Sequence, residues 1–503
     1  MGPRQAEDER ATRVAEEEAG GFWRWAPWLL FVLYVLLYGF GAQRTFYLHD
    51  GLQIVYTHLS QGNLAHPRHP LYLPLAAPFV EALAWTGETI HTRAVWFSGL
   101  STAGAGLFVY LLARRAGLTR WGALVVQVLF ALSPVVYFFA TVVEFHALFL
   151  LFAAIAFWWA EGLHQRAAHR SLGQRVLLAA ILGGMTWTSA MAHSTGNLLL
   201  APISCLMLVR APLRSRLPEI LTMAAVHIAL LLLVTPLLHD AVGLVKPPDR
   251  PGDWLREWFH PDGAVLRFVT VWFWELLLPL LPGTLALCFV RRSDWPRGLW
   301  VLLALLPYAL LCTLILVDEQ GEPIRERGAY FLPWVIPALL LFVGRLAELS
   351  ERARGLLLAL CVLVWMGGYT SAFSHDDRPG EAFGAALRTI TQGEPTWMLC
   401  AGGPDLEWTL LENAEVNPLM VTSLVTKPTE QLLAELPGFE AAILGRLDAG
   451  ERVLASEAVF AEIEALTPEI QQNLALLRQW LEARFRLEPL GEEPYRFREL
   501  HRR

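Results

Sequence analysis

Lysine is almost missing from this chain: Lys246 and Lys427 are the only two, and arginine supplies the rest of the 40 basic residues. That bias fits a GC-rich bacterial genome better than it fits any function. Charge of both signs is scarce, at 17% of 503 residues against 54% hydrophobic, and the mean hydropathy is +0.40. Those values exclude a large soluble core and point to a polytopic membrane protein. Cysteine is sparse too. Four of Cys205, Cys288, Cys312, Cys361 and Cys400 lie inside apolar runs, and no CxxC spacing occurs, which excludes a disulfide framework and a cysteine metal site. No small-residue cleavage site follows the apolar run Trp23–Phe40, so that run reads as a retained span. The Met-Gly start lacks the Ser or Thr of a myristoylation motif.

What is present in quantity is long apolar sequence. At about 20 residues per bilayer crossing, about eleven transmembrane helices fit. They run near 23–43, 94–113, 121–140, 143–160, 176–191, 194–209, 218–238, 266–290, 298–317, 329–347 and 355–373. The loops Arg114–Arg120, Arg166–Arg175, Arg210–Arg216, Arg291–Arg297 and Arg345–Arg354 each hold three arginines, and the turns Thr141–Val143 and Ala192–Ser194 hold none. The positive-inside rule places the Arg loops in the cytoplasm. The N terminus (1–22, an acidic tail) is then cytoplasmic, and the loop 44–93 and everything after Phe373 lie outside. Most histidines fall at the outer face, among them His49, His58, His66, His69, His91, His146 and His193; His227 is mid-span. Ionisable groups beside the bilayer mark functional sites by default, so the outer face is read as the working one.

The stretch Tyr47–Leu75 holds the first candidates. Asp50 serves either as an N-cap for a helix Leu52–Leu59 or as a base that accepts a proton. In HPRHPLY (His66–Tyr72), Pro67 and Pro70 force turn geometry on their predecessors. His66, His69 and Tyr72 are then structural or face a ligand. A His-x-x-His pair supplies only two of the ligands a metal needs, so a possible divalent metal stays open and no metal-ligand set is assigned. Glu144 and His146 open the fourth span. On a helix, residues two apart face different ways, so they are not expected to form a dyad; Glu144 is a cap at a helix N terminus or an active-site carboxylate. His193 lies in another outer turn. Arg325, Arg327 and Tyr330 lie in EPIRERGAYFLPW, where a guanidinium suits a lipid phosphate or snorkels at a helix end. The loop His239–Gly263 suggests an interfacial helix, and Glu275 is a carboxylate within a span.

After Ser374 the composition changes. Residues 374–503 read as a small extracytoplasmic α/β domain. Short apolar runs at Thr396–Cys400, Leu419–Leu424 and Ala441–Leu444 suggest strands, and Glu469–Phe485 a charged helix.

Taken in order, these elements resemble the GT-C superfamily of membrane glycosyltransferases, in a bacterial branch akin to protein O-mannosyltransferases. HDGLQ (His49–Gln53) resembles its first-loop acidic motif, HPRHPLY its His-Pro run, VVEFHALFLLF (Val142–Phe152) its Glu-containing span start, HSTGNLLLAP (His193–Pro202) its His-Thr element, and RGAYFLPWVIP (Arg327–Pro337) its late Arg-Tyr element. The likeness covers about residues 20–350. The resemblance implies a GT-C-like transmembrane domain (23–373) whose catalytic outer loop is 44–93. It implies a polyprenyl-phosphate sugar donor, an acceptor that is a protein, lipid or glycan, and a place in the bacterial cytoplasmic membrane; no nucleic acid is expected. Asp50 would be the base, with Glu144 a second catalytic carboxylate. His49, His66, His69, Tyr72, His146, His193, Arg325, Arg327 and Tyr330 would contact substrate, Arg327 at the phosphate. The chain departs from the pattern at Gln53, where the branch carries a second acid, at Arg68-His69, where it carries Pro-Gly-Tyr, and at His146, where it carries Tyr. The Gln53 departure favours an alternative, a non-catalytic membrane scaffold or subunit that keeps the fold.

Overall fold

The computed structural model describes residues 22–46, 48–60, 62, 64, 66, 68–165, 170–209, 213–241, 264–271, 295–314, 329–346, 349–373, 378–401, 404–412, 416–460, 468–491 and 495–503. Arg325, Arg327, Glu275 and most of the His239–Gly263 loop lie outside these. The chain forms two compact units: Met1–Gln43, Leu64–Pro78 and Val95–Ser374 make the first, and Arg44–Asn63, Phe79–Ala94 and His375–Arg503 the second.

The first unit is helical. Among the described residues, four helices are long and apolar enough to cross a bilayer: Ile90–Arg115, His146–Leu163, Leu172–Ala192 and Leu213–Ala241. A fifth is the pair Arg120–Ala131 and Pro134–Ala140, bent by 63°. The sequence suggests one straight span over 121–140. It breaks because Ser133 is extended and Pro134 starts a new helix, where its missing N–H costs nothing. Local chemistry sets other starts: Thr119 accepts the Gly122 N–H, and Ser171 with Gln174 forms a reciprocal capping box for Leu172–Ala192. Leu213–Ala241 carries a π-helical turn, Leu230–Val234. At Thr235 the Trp187 indole donates to the hydroxyl over 3.0 Å, so the turn beyond the π segment is tied to the neighbouring helix.

The second unit holds a five-stranded sheet of order β2-β1-β3-β5-β4, with β1 Thr396–Cys400, β2 Val416–Met420, β3 Arg452–Ser456, β4 Phe485–Leu490 and β5 Phe497–Arg502. β2, β1 and β3 are parallel; β5 and β4 form an antiparallel ribbon. Helices Thr429–Asp448 and Pro468–Arg484 bury Leu432, Leu436, Ile443, Leu474, Leu477 and Leu481 in the same core as Val453 and Ala455 of β3. The apolar run Ala441–Leu444 is therefore not a strand but part of the first of these helices, where Ile443 falls on the i+4, i+7 stripe from Phe439 and Leu436.

The same unit takes in the stretch after the apolar helix Phe22–Phe40. Asp50 lies within the helix Leu48–Gln53, which runs on without a break into a π helix, Ile54–Leu59. The helix starts before Asp50, so Asp50 is not the N-cap of a Leu52–Leu59 helix. The Tyr56 hydroxyl accepts the Met420 N–H at the end of β2 over 2.7 Å, and Arg44 pairs with Glu381 at 3.5 Å.

Candidate functional site

The first unit gathers four histidines. The HPRHPLY turn is docked on the end of the Leu172–Ala192 helix, where the Leu71 N–H donates to Met191 O over 3.1 Å. Within the turn His66 Nδ1 accepts the backbone N–H of Arg68 (3.3 Å) and of His69 (3.1 Å). Both donors are amides, so in the neutral ring Nδ1 keeps its lone pair and Nε2 carries the hydrogen. This self-capping explains why a His-Pro-x-His-Pro run makes a fixed turn rather than a loose loop.

Ring stacking brings the histidines together. Centroid separations are 4.8 Å for His66–His69, 4.6 Å for His69–His193 and 4.4 Å for His193–His146. The Phe145 ring lies 3.9 Å from His69 and 4.9 Å from His66. Tyr72 packs edge-on to Phe145 at 4.8 Å, and Tyr330 lies 5.8 Å from His146 and 6.2 Å from His193. His66, His69, His146 and His193 are all buried. Burial pushes His69 well below the usual imidazole range, helped by His193, His66, His146 and Arg68. His193 is lowered the same way, by burial first and then by His146, His66 and Arg68. The stack is therefore a buried surface of π faces and ring edges, and a proton on one ring opposes a proton on the next.

Glu144 sits against this surface and is 2% exposed. Its Oε2 accepts the Phe145 N–H over 3.0 Å and lies 3.3 Å from His146 Nδ1. Glu144 and His146 do form a pair, against expectation. The helix begins only at His146, and residues 141–145 are not helical, so the chain folds the carboxylate back onto the imidazole. A buried carboxylate on an imidazole is an arrangement that can accept and pass on a proton. Tyr72 is buried beside Ser98, and burial, with Glu144 nearby, raises its phenol.

The structure thus brings together Glu144, His66, His69, Tyr72, His146, His193 and Tyr330. His49 and Asp50 are in the Leu48–Gln53 helix of the second unit. Phe145 escaped the sequence reading. Phe145 hides in an apolar run; Thr195, whose hydroxyl lies 2.7 Å from His193 Nδ1, follows a histidine by two residues, the spacing of a local side-chain cap. Among the described residues no three His, Cys, Asp or Glu side chains are arranged to hold a metal ion. Stacked rings offer one another faces, not nitrogens aimed at one point.

With this geometry in place, comparison with solved structures decides the fold. ArnT of Cupriavidus metallidurans, solved with undecaprenyl phosphate bound, superposes over 94% of this chain and 97% of its own, at TM-score 0.55 and 12% identity. The chain has the GT-C fold. An oligosaccharyltransferase of Archaeoglobus fulgidus, tethered to an acceptor peptide, is also similar, over 86% of this chain and 70% of its own, at TM-score 0.43 and 11% identity. No protein-family model and no curated protein matches the sequence. Within this fold the Glu144 and histidine cluster stands at the ends of the apolar helices His146–Leu163 and Leu172–Ala192.

Proposed function

We propose that this protein is a membrane glycosyltransferase that moves a sugar from a polyprenyl-phosphate carrier to an acceptor outside the cytoplasmic membrane of a bacterium. One observation carries the reading: in a chain with the GT-C fold, a buried carboxylate, Glu144, is held against His146 in a stack of buried imidazoles. A GT-C relative solved with undecaprenyl phosphate supports a lipid-linked donor. In the proposed topology about eleven spans place the N terminus inside, and the loop 44–93 and the domain 374–503 outside.

In the reaction the acceptor oxygen or nitrogen forms a bond to the anomeric carbon as the bond from that carbon to the phosphate oxygen breaks. The acceptor proton goes to a carboxylate, and the phosphate leaves with the electron pair, inverting the centre. Asp50 and Glu144 are the two candidate bases. Arg325 and Arg327 suit the leaving phosphate, since guanidinium binds phosphate bidentately. His49, His66, His69, Tyr72, His146, His193 and Tyr330 are the candidate sugar and acceptor contacts. A dry site strengthens each such contact in the transition state.

The test is turnover of a panel of polyprenyl-phosphate sugars by the full-length protein in lipid, with a native membrane extract supplying acceptors. Asp50→Asn and Glu144→Gln are run beside the parent, with and without a divalent-metal chelator. Transfer by the parent that falls roughly a hundredfold or more in either variant supports that carboxylate as base. Loss on chelation alone adds a metal. No transfer from any donor refutes the reading and favours the scaffold that the Gln53 departure suggests.

A further inference from the structure

Outside the stack, the buried His227 bridges two elements by its ring edges. It lies 1% exposed in the Leu213–Ala241 span. The span packs closely on Leu172–Ala192 at Gly183, where a Cβ would run into the backbone of Met223 and His227. That approach brings His227 Nδ1 within 3.0 Å of the Thr186 hydroxyl, which itself lies 2.9 Å from Gly183 O. On its other edge His227 Nε2 is 2.9 Å from Asn197 Oδ1. The Asn197 amide nitrogen donates to Ser194 O over 2.8 Å, which leaves its oxygen toward His227 and makes Nε2 the donor. With that hydrogen on Nε2, Nδ1 of the neutral ring accepts from the Thr186 hydroxyl.

The chain of bonds ends at the turn that carries His193. Ser194 follows His193, whose Nδ1 accepts the Thr195 N–H over 3.3 Å and meets its hydroxyl at 2.7 Å. The Gly196 N–H closes the turn on His193 O over 2.8 Å. A Cβ on Gly196 would run into the backbone of Ser189 and Ala190, so the turn lies flat on the helix end with no room to shift. Because an amide donor faces Nδ1, the hydrogen of neutral His193 belongs on Nε2.

We infer that His227 is a positioning residue for His193: through Asn197 and Ser194 it holds the His193–Asn197 turn so that His193 keeps its Nε2–H edge toward the bound substrate. The role of that edge rests on the glycosyltransferase reading; the tautomer does not. Such support of one functional side chain by buried hydrogen bonds is what fixes a site to the geometry its chemistry needs.

The experiment labels the histidines of the full-length protein in lipid with 15N and assigns the His193 ring by its loss in His193→Gln. In the parent His193 shows one tautomer, protonated at Nε2. His227→Leu, which removes both bonds, and Asn197→Asp, which keeps the acceptor for His227 but cannot donate to Ser194 O, are expected to give a tautomer mixture. His227→Gln, which can donate to Asn197 and accept from Thr186, is expected to restore the parent spectrum. A His193 spectrum unchanged in His227→Leu overturns the inference, as does a loss of the single tautomer in His227→Gln equal to that in His227→Leu. With a donor that turns over, kcat is expected to fall roughly tenfold in His227→Leu, with KM little changed, because the edge acts in the transition state. A tautomer shift in His227→Leu, where the parent itself transfers no sugar, leaves the inference standing and refutes only the glycosyltransferase reading.

Discussion

Two carboxylates, one in each unit, are buried to nearly the same degree and live in opposite surroundings. Asp405 in the second unit is 6% exposed. Its Oδ2 accepts the Ala401 N–H over 2.9 Å and the Ser456 hydroxyl, and its Oδ1 accepts the Leu406 N–H over 3.0 Å. All its partners are fixed neutral donors that tie the end of β1 to the end of β3. Glu144 in the first unit has the N–H of its own neighbour and an imidazole. Burial alone therefore does not mark a reactive acid; the kind of partner does. Neutral donors lock a carboxylate into the architecture, whereas a titratable partner lets it exchange a proton.

The largest effects should separate these two acids. Glu144→Gln is expected to lower sugar transfer at least a hundredfold with little change in Tm. Asp405→Ala is expected to cost about 2–3 kcal/mol, since it strands two buried N–H groups and a hydroxyl, and to spare the chemistry. Thermal melts beside the transfer assay read both, and an exchange of outcomes would erase the distinction.

Acid should move the two regions in opposite directions, by less. His69 and His193 lie below 6.5 when folded. As pH falls through about 6.5 the unfolded chain takes up protons first, and stability is lost. Asp405 is raised above 3.8 by burial, the hydrogen bonds only partly offsetting it. The folded chain then binds the proton first, so acid adds stability as pH falls through the raised value. Tm in acid should thus fall less steeply in His193→Gln than in the parent and more steeply in Asp405→Asn; parallel curves would count against both assignments.

The smallest effects concern the sheet surface. Arg452 on β3 makes a two-pronged pair with Glu499 on β5, both contacts 2.9 Å, with side chains 22% and 17% exposed. Arg452→Met is expected to cost about 1–2 kcal/mol. Lys427, paired to Glu435 in the open, should change stability by no more than about 0.5 kcal/mol when replaced by Met.

Apolar run length marked the four helices long and apolar enough to cross a bilayer, and the four histidines that stack in the structure are among those the Arg loops had sorted to one face. The Glu144–His146 pair was not legible, because it depends on where a helix starts and Val142-Val143-Glu144 carries no Ser, Thr, Asp or Pro to mark the boundary. Strands β3, β4 and β5 were missed because Arg452–Ser456, Phe485–Leu490 and Phe497–Arg502 are short and partly charged; their strand form comes from pairing, not propensity. His227 was visible as an ionisable group mid-span, but its partners Thr186 and Asn197 lie 41 and 30 residues away.

The span Leu213–Ala241 is 29 residues long. At about 1.5 Å per residue it reaches about 43 Å, against a hydrocarbon layer of about 30 Å. It must lean steeply or stand two or more turns clear of the lipid. Either way its excess length ties the lean of this helix to bilayer thickness, and His227 sits near its middle.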